Sequence, residues 1–338
     1  MTIKGYACKE KGGKLESFEY DPGNLPADEV EVEVEYCGIC HSDIAMIDND
    51  WGMSNYPFVP GHEAIGKIVA VGEQVSQDRI GPRVGVGWQS ASCNHCKNCG
   101  VGKESLCLNE DEVGQTIIGR NGAWANRVRS QARWAIPLPD GLDPAKAGPL
   151  MCAGTTVWSP IRHYGVRPGM ETAVLGVGGL GHLAVQFLAK MGTQVTGLST
   201  TRSKEENTRK LGATDFIATK ESPEDLEKAE GRFDFILSTV SADVDWNAYI
   251  NALAPEGTLV ICGVPDAAIS FMPFPIIVSE KKVGGGRAGS PLDTQEMMEF
   301  CATHNIAPMC EQFDLKNLNQ AVQYVRDGKA RFRAVLKY

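Results

Sequence analysis

The sequence predicts a two-domain protein, a β-rich domain joined to an α/β domain with a parallel sheet. Two observations carry this. Residues 29–36, "EVEVEVEY", alternate strictly, and "IGKIVAVG" at 65–72 and "RVGVGW" at 83–88 are short runs punctuated by glycine, the patterns of strands separated by turns. From Glu171 onward, strand-like stretches alternate with helix-like ones: "ETAVLGV", "GLGHLAVQFLAKMG" and "TQVTGLS", then "FDFILST", "NAYINALAPEG" and "TLVICGV". Strand, helix and strand in succession imply a parallel sheet with right-handed crossovers. The 338 residues suffice for two such domains. The character changes around "IPLPDGLDPAKAGPL", and after about Gly286 a helix-like "DTQEMMEFCATHN" and a terminal "FRAVLKY" follow.

Composition narrows the function classes. Apolar content of 43% and charged content of 22% are those of a soluble globular protein. A formal charge of −9 argues against a nucleic-acid binder, which presents a basic face to phosphates. The N-terminal stretch "MTIKGYACKEKGGKLESFEY" has no apolar run fit for a signal peptide. The most apolar segment, "LGHLAVQFLA", falls well short of the roughly twenty residues of a membrane span. A cytoplasmic protein with no membrane partner is expected, in a compartment where thiols stay reduced.

Eleven cysteines in that setting point to metal sites or buried thiols rather than disulfides. Cys93, Cys96, Cys99 and Cys107, inside a lobe of about residues 89–112, follow C-x2-C-x2-C-x7-C. Two-residue gaps let a tight loop offer successive thiolates to one Zn2+, and four thiolates leave no position open, so the expected site is structural. Iron–sulfur ligation is the alternative, but its bacterial run has three residues before the fourth cysteine, and here there are seven. His95 lies inside the loop and is expected on the surface, because four sulfurs already suffice.

In "VLGVGGLGHLAVQF" the glycines form G-x-G-G-x-G after a strand and at the opening of a helix, the context of a dinucleotide site. Gly176 permits the tight turn. Gly178 lets backbone approach a pyrophosphate, with Gly179 and Leu180 beside it. Gly181 allows helix and strand to pack closely, and the helix N-terminus favours the phosphates. An NAD site carries an acidic residue about twenty positions on. Here "GLSTTRSKEE" places Ser199, Thr200 and Thr201 there, followed by Arg202 and Lys204. Hydroxyls and cations accept a 2′-phosphate that a carboxylate would repel, so NADP(H) is the expected cofactor. Alternatively, Arg202 and Lys204 are simply solvated charges.

The remaining metal-capable residues are Cys40 in "CGICHSD", His62 and Glu63 in "VPGHE", and Cys152 in "PLMCAG". Two thiolates and an imidazole would make a zinc site with a fourth position open, but Cys152 lies ninety residues from His62, and spacing alone does not bring them together. A redox pair of Cys37 and Cys40 is the competing reading.

With these motifs, "NDWGMSNYPFVPGHEAIGKIVAVG" and "PLMCAGTTVWSP", the chain resembles the zinc-dependent medium-chain alcohol dehydrogenases over almost its whole length, and within them the cinnamyl alcohol dehydrogenase branch. The resemblance implies a GroES-like β-barrel catalytic domain, residues 1–150 and 287–338, and a Rossmann domain, residues 151–286. It implies two zinc ions per chain, NADPH, and the reversible reduction of aldehydes to primary alcohols; the alternatives are a polyol or secondary-alcohol dehydrogenase on the same scaffold, or a non-catalytic dinucleotide-binding zinc protein. It assigns Cys40, His62 and Cys152 to the catalytic zinc, with Glu63 able to replace the water ligand and Asp43 supporting His62. The zinc would polarise the carbonyl, hydride would arrive from nicotinamide C4, and Ser42 would relay the proton. His41 would lie near the pyrophosphate, and Thr156, Gly286, Arg287 and Ala288 near the nicotinamide. Trp51 and Met53 would line an apolar pocket, which favours aromatic or medium-chain aldehydes. A homodimer is expected by the same resemblance. Two positions depart from the family. Ala45 stands where many relatives carry histidine, so the proton route beyond Ser42 would need Asp50 or the ribose hydroxyls. Arg287 stands where relatives carry an apolar pocket residue.

Overall fold

The computed structural model describes residues 2–265 and 267–338. The chain forms two compact units, Met1–Cys152 with Gly289–Tyr338, and Ala153–Ala288. None of the helices in the described residues is long and apolar enough to cross a membrane.

The first unit is built on a seven-stranded sheet. Its longest strand, Glu29–Ile39, pairs antiparallel with Ala64–Val71, Arg127–Gln131 and Arg333–Lys337. The C-terminal strand thereby ties residues beyond Gly289 into the sheet formed by the first 150. The strict alternation of "EVEVEVEY" suggests a strand half in water; the structure leaves Glu33 exposed but buries the first two glutamates of the polar face as well. Glu29 and Glu31 are 6% and 2% exposed. Arg120 binds Glu29 at 2.8 Å, and Arg127 and Arg129 bind Glu31 at 2.5 and 2.9 Å. Burial of these carboxylates is tolerable because each has a guanidinium partner.

One helix in this β-rich half, His41–Asp48, has no counterpart in the sequence pattern. Asp43, Ile44, Ala45, Met46 and Ile47 are all buried, so no amphipathic period marks it. Its start is set by a reciprocal cap at Cys40, whose N–H donates to Asp43 Oδ2 at 3.0 Å.

The second unit holds a six-stranded, all-parallel sheet in the order Asp215–Ala218, Gln194–Ser199, Glu171–Leu175, Phe233–Ser238, Leu253–Ile261, Lys282–Gly285. Numbered by appearance this is 3-2-1-4-5-6, the doubly wound order whose crevice at the carboxyl edge takes a dinucleotide. The first strand runs into the glycine loop and then the helix Gly181–Lys190. Ala173, Leu198, Ile236 and Leu259 sit in its core.

Candidate active site

Cys40, His62, Glu63 and Cys152 each place a ligand atom within 4.8 Å of the others. Cys40 closes the long strand and caps the 41–48 helix. Asp43, fully buried, fixes the neighbourhood: its Oδ1 accepts the Gly61 N–H at 2.9 Å and faces His62 Nδ1 at 2.8 Å. A proton on Nδ1, donated to this carboxylate, would leave the Nε2 lone pair for a metal, and Nε2 is buried without a hydrogen-bond partner among the described residues.

The sulfurs of Cys40 and Cys152 are 3.8 Å apart. A disulfide would need about 2.05 Å, whereas two thiolates about 2.3 Å from one tetrahedral ion lie about 3.8 Å from each other. The donor set and its spacing fit zinc. The Cys152 thiol hydrogen-bonds the Cys40 sulfur and holds Cys40 well below the ordinary thiol range. The same contact and burial push Cys152 well above it. Cys37 takes no part: its thiol is buried and directed at the Gly38 carbonyl, 3.4 Å away. A redox pairing of Cys37 with Cys40 therefore finds no support here.

Glu63 is fully buried and ion-paired through Oε1 with Arg333, while Oε2 has no partner among the described residues. Burial pushes its carboxyl up to about 7 against the pull of Arg333. Gly38 makes room for it, since a Cβ there would sit 1.9 Å from Oε2. Arg333 carries no sequence signal, because its partner is 270 residues away. Trp88 is equally silent in sequence. Its ring stands edge-on to His62 at 5.0 Å and to Trp51 at 5.9 Å. Trp51 and Met53 are 40% and 44% exposed, so Trp51 is not a core residue. Ser42 is half-buried on the first helical turn, His41 and Asp50 are exposed, and Ala45 is buried.

Cys93, Cys96, Cys99 and Cys107 form a second group with ligand atoms within 4.8 Å. Here too two sulfurs, of Cys93 and Cys99, lie 3.8 Å apart. The Cys96 N–H points at Cys93 Sγ at 3.3 Å and the Cys99 N–H at Cys96 Sγ at 3.5 Å, contacts that favour thiolates. His95 is turned away, with Nδ1 at 2.7 Å from the Cys93 carbonyl and Nε2 beside Asn109. The lobe is anchored through the Ser105 N–H to Ser290 Oγ at 3.0 Å and the Trp134 indole N–H to Ser92 Oγ at 3.2 Å.

In the second unit a cavity of about 880 Å³ lies at the carboxyl edge of the sheet. Gly176, Gly178, Gly179, Leu180, Ser199, Thr200 and Lys204 line it; Gly181, Thr201 and Arg202 do not. Gly176 has φ +89°, and a Cβ on Gly181 would meet the Gly176 carbonyl oxygen at 1.9 Å. By contrast, a Cβ at Gly178 would meet nothing within 4 Å, which leaves the open backbone a pyrophosphate needs. Thr239, not marked by the sequence pattern, donates to the Gly176 carbonyl at 2.6 Å and steadies the turn. Thr156 lies half-buried in the helix Ala153–His163, and its carbonyl faces Cys262 Sγ at 3.7 Å. Gly286, Arg287 and Ala288 follow the edge strand, with the Gly286 N–H on the Ile261 carbonyl at 2.9 Å and Arg287 exposed.

Residues 26–140 match the alcohol dehydrogenase GroES-like domain, and residues 179–303 match the zinc-binding dehydrogenase family. An aldehyde reductase of Synechocystis sp. is 44% identical over 336 residues, 99% of each chain. The chain belongs to the zinc-binding alcohol dehydrogenases. An NADP-dependent alcohol dehydrogenase of Mycolicibacterium smegmatis is 37% identical over 99% of this chain and 97% of its own. Among solved structures, a cinnamyl alcohol dehydrogenase of Sorghum bicolor superposes with a TM-score of 0.93 at 31% identity, covering 100% of this chain and 98% of that one. A cinnamyl alcohol dehydrogenase of Helicobacter pylori, solved with NADP(H), gives 0.89 at 30% identity with the same coverage. This chain is thus a dehydrogenase with a GroES-like domain and a Rossmann-type parallel sheet.

Proposed function

We propose that this enzyme reduces aromatic or medium-chain aldehydes reversibly to primary alcohols with NADPH, using one zinc for chemistry and one for structure. The observation that carries this reading is the unpartnered, buried Nε2 of His62 facing two thiols at the separation of zinc ligands. Cys40, His62 and Cys152 hold the catalytic zinc, and Glu63 Oε2 is the protein oxygen able to take the fourth position. Zinc there supplies Lewis acidity to a carbonyl oxygen, and NADPH on the glycine loop supplies the hydride. Asp43 keeps His62 in the tautomer that offers Nε2 outward. Ser42, next in the chain but one to Cys40, donates the proton that completes the alcohol. Cys93, Cys96, Cys99 and Cys107 hold the structural zinc.

Trp51, Met53 and Trp88 supply the apolar wall that selects an aromatic or extended substrate. Ser199, Thr200 and Lys204, lining the cavity with no carboxylate at the end of that strand, favour NADPH over NADH. Thiolate ligands need a reducing compartment, which supports a cytoplasmic location. For assembly, Phe271, Met272, Phe274, Ile277 and Val278 are exposed just before the edge strand Lys282–Gly285. Such an apolar patch beside an unpaired sheet edge supports a homodimer through this unit.

NADPH oxidation with a panel of aldehydes, ketones and polyols tests the reading. Turnover is expected with cinnamaldehyde and benzaldehyde at least about tenfold above acetaldehyde in kcat/KM, the burial of one aromatic ring. Turnover confined to ketones or polyols would refute it.

A further inference from the structure

Resting on the NADPH reading above, one question remains about the 2′-phosphate: which cations meet it. Arg202 is the obvious candidate by position, yet its charge is already spent. Its guanidinium binds Glu205 at 2.9 Å and Asp225 at 3.7 Å, and its backbone N–H donates to Glu221 at 3.0 Å. It does not line the cavity. These carboxylates are shared with other cations, Glu205 with Arg209 at 2.9 Å and Asp225 with Lys228 at 3.0 Å, so Arg202 belongs to a surface ion-pair network beside the cavity.

Two other cations line the cavity beside Ser199 and Thr200: Lys204 and Lys220. Neither has an ion-pair or side-chain hydrogen-bond partner among the described residues. Lys220 lies 20 residues beyond Thr200, after the next strand of the sheet, and the fold brings it back. Gln194–Ser199 and Asp215–Ala218 pair in parallel, with Ser199 opposite Ala218. The two loops after them are then stitched together, Thr219 N–H to the Ser199 carbonyl at 2.8 Å and Lys220 N–H to the Thr200 carbonyl at 3.1 Å. Thr219 lines the same cavity. The hydroxyls of one loop and the ammonium of the next therefore border one space at the carboxyl edge, where a ribose carrying a 2′-phosphate would project.

We propose that Lys220, together with Lys204, binds the 2′-phosphate of NADP(H), while Arg202 stays in its ion pairs with Glu205 and Asp225. Lys220 is thus a specificity-determining residue for the cofactor, and a phosphate held between two lysines from separate loops would sit opposite the Ser199 and Thr200 hydroxyls.

The test is equilibrium binding of adenosine 2′,5′-bisphosphate and of AMP to the full-length protein by titration calorimetry, in the unmodified enzyme, Lys220→Met and Lys220→Arg. The two probes differ only in the 2′-phosphate. Lys220→Met is expected to lose roughly five- to tenfold of the preference for the bisphosphate, the low end of a charge-assisted contact because the site is solvated. Its melting temperature should be unchanged, since Lys220 is exposed. Lys220→Arg should keep most of the preference, and raising the salt concentration should shrink the difference between lysine and methionine. A bisphosphate preference retained in full by Lys220→Met, with the unmodified protein clearly preferring that probe, would overturn the role of Lys220 and leave the NADPH reading standing. An unmodified protein that binds both probes equally would overturn both.

Discussion

Cys93, Cys96, Cys99 and Cys107 fall within fifteen residues, whereas Cys40 and Cys152 stand 112 apart in the chain and meet only because the sheet is complete. The first group is four sulfurs in a loop that braces itself with N–H···S contacts. The second mixes two thiols, an imidazole and a carboxylate, each supported from behind: Asp43 behind His62, Arg333 behind Glu63, Gly38 making space. A metal in the first group would be closed off by four sulfurs and would serve to hold the lobe. A metal in the second would find Glu63 Oε2 as a protein oxygen beside the two sulfurs and the imidazole, one that a substrate oxygen could replace. The contrast teaches that an open position for chemistry needs ligands set by the whole fold, whereas a closed one can be built by a single loop.

The largest effects should separate the two groups. Cys152→Ser is expected to abolish NADPH oxidation while the melting temperature moves little and one zinc per chain is kept, as read by metal analysis and thermal unfolding. Cys99→Ser should instead destabilise the protein by about 4 kcal/mol or more, because the lobe folds around its ion. If Cys99→Ser removed turnover alone and left stability intact, the two assignments would be reversed. Next in size is Asp43→Asn, which leaves the ligands in place but weakens the hold on His62. A 10- to 100-fold loss in zinc affinity or kcat is expected, about the usual effect of such partners, and chelator competition measures it. An unchanged zinc affinity would mean that Asp43 acts only as a helix cap.

Smaller effects sharpen what surrounds each group. Trp51→Ala should narrow the preference for cinnamaldehyde over acetaldehyde by about tenfold while kcat with acetaldehyde holds. Thr200→Asp should erode the preference for NADPH over NADH by at least about tenfold in kcat/KM, since it places a carboxylate where a phosphate is expected.

How much of this was legible in the sequence follows from how local each signal is. The glycine loop and the four-cysteine loop are contiguous, and backbone geometry alone demands their residues, so pattern reveals them. The alternation in "EVEVEVEY" revealed a strand but not its burial, because the arginines that neutralise Glu29 and Glu31 lie more than ninety residues on. The 41–48 helix has no sequence signal because residues 43–47 are buried without a break, which leaves no amphipathic period. Arg333, Trp88 and Lys220 had no sequence signal at all. Arg333 and Trp88 meet their partners, and Lys220 reaches the cavity, only in tertiary structure, and a lone arginine, tryptophan or lysine looks the same in sequence whether it is solvated or set against a site. Arg202 stands where the sequence pattern expects a cation, but its ion pairs with Glu205 and Asp225 are visible only in the structure.

Stepwise zinc removal tests the central claim, two ions with separate work, most directly. Native mass spectrometry of the purified protein during mild chelation, with NADPH oxidation of cinnamaldehyde followed in parallel, should start at two zinc ions per chain. Turnover should vanish with the first ion lost while the fold persists, and the second ion should leave only as the protein unfolds. A single zinc at the outset, or turnover that survives loss of the first ion and ends only with unfolding, would contradict the account.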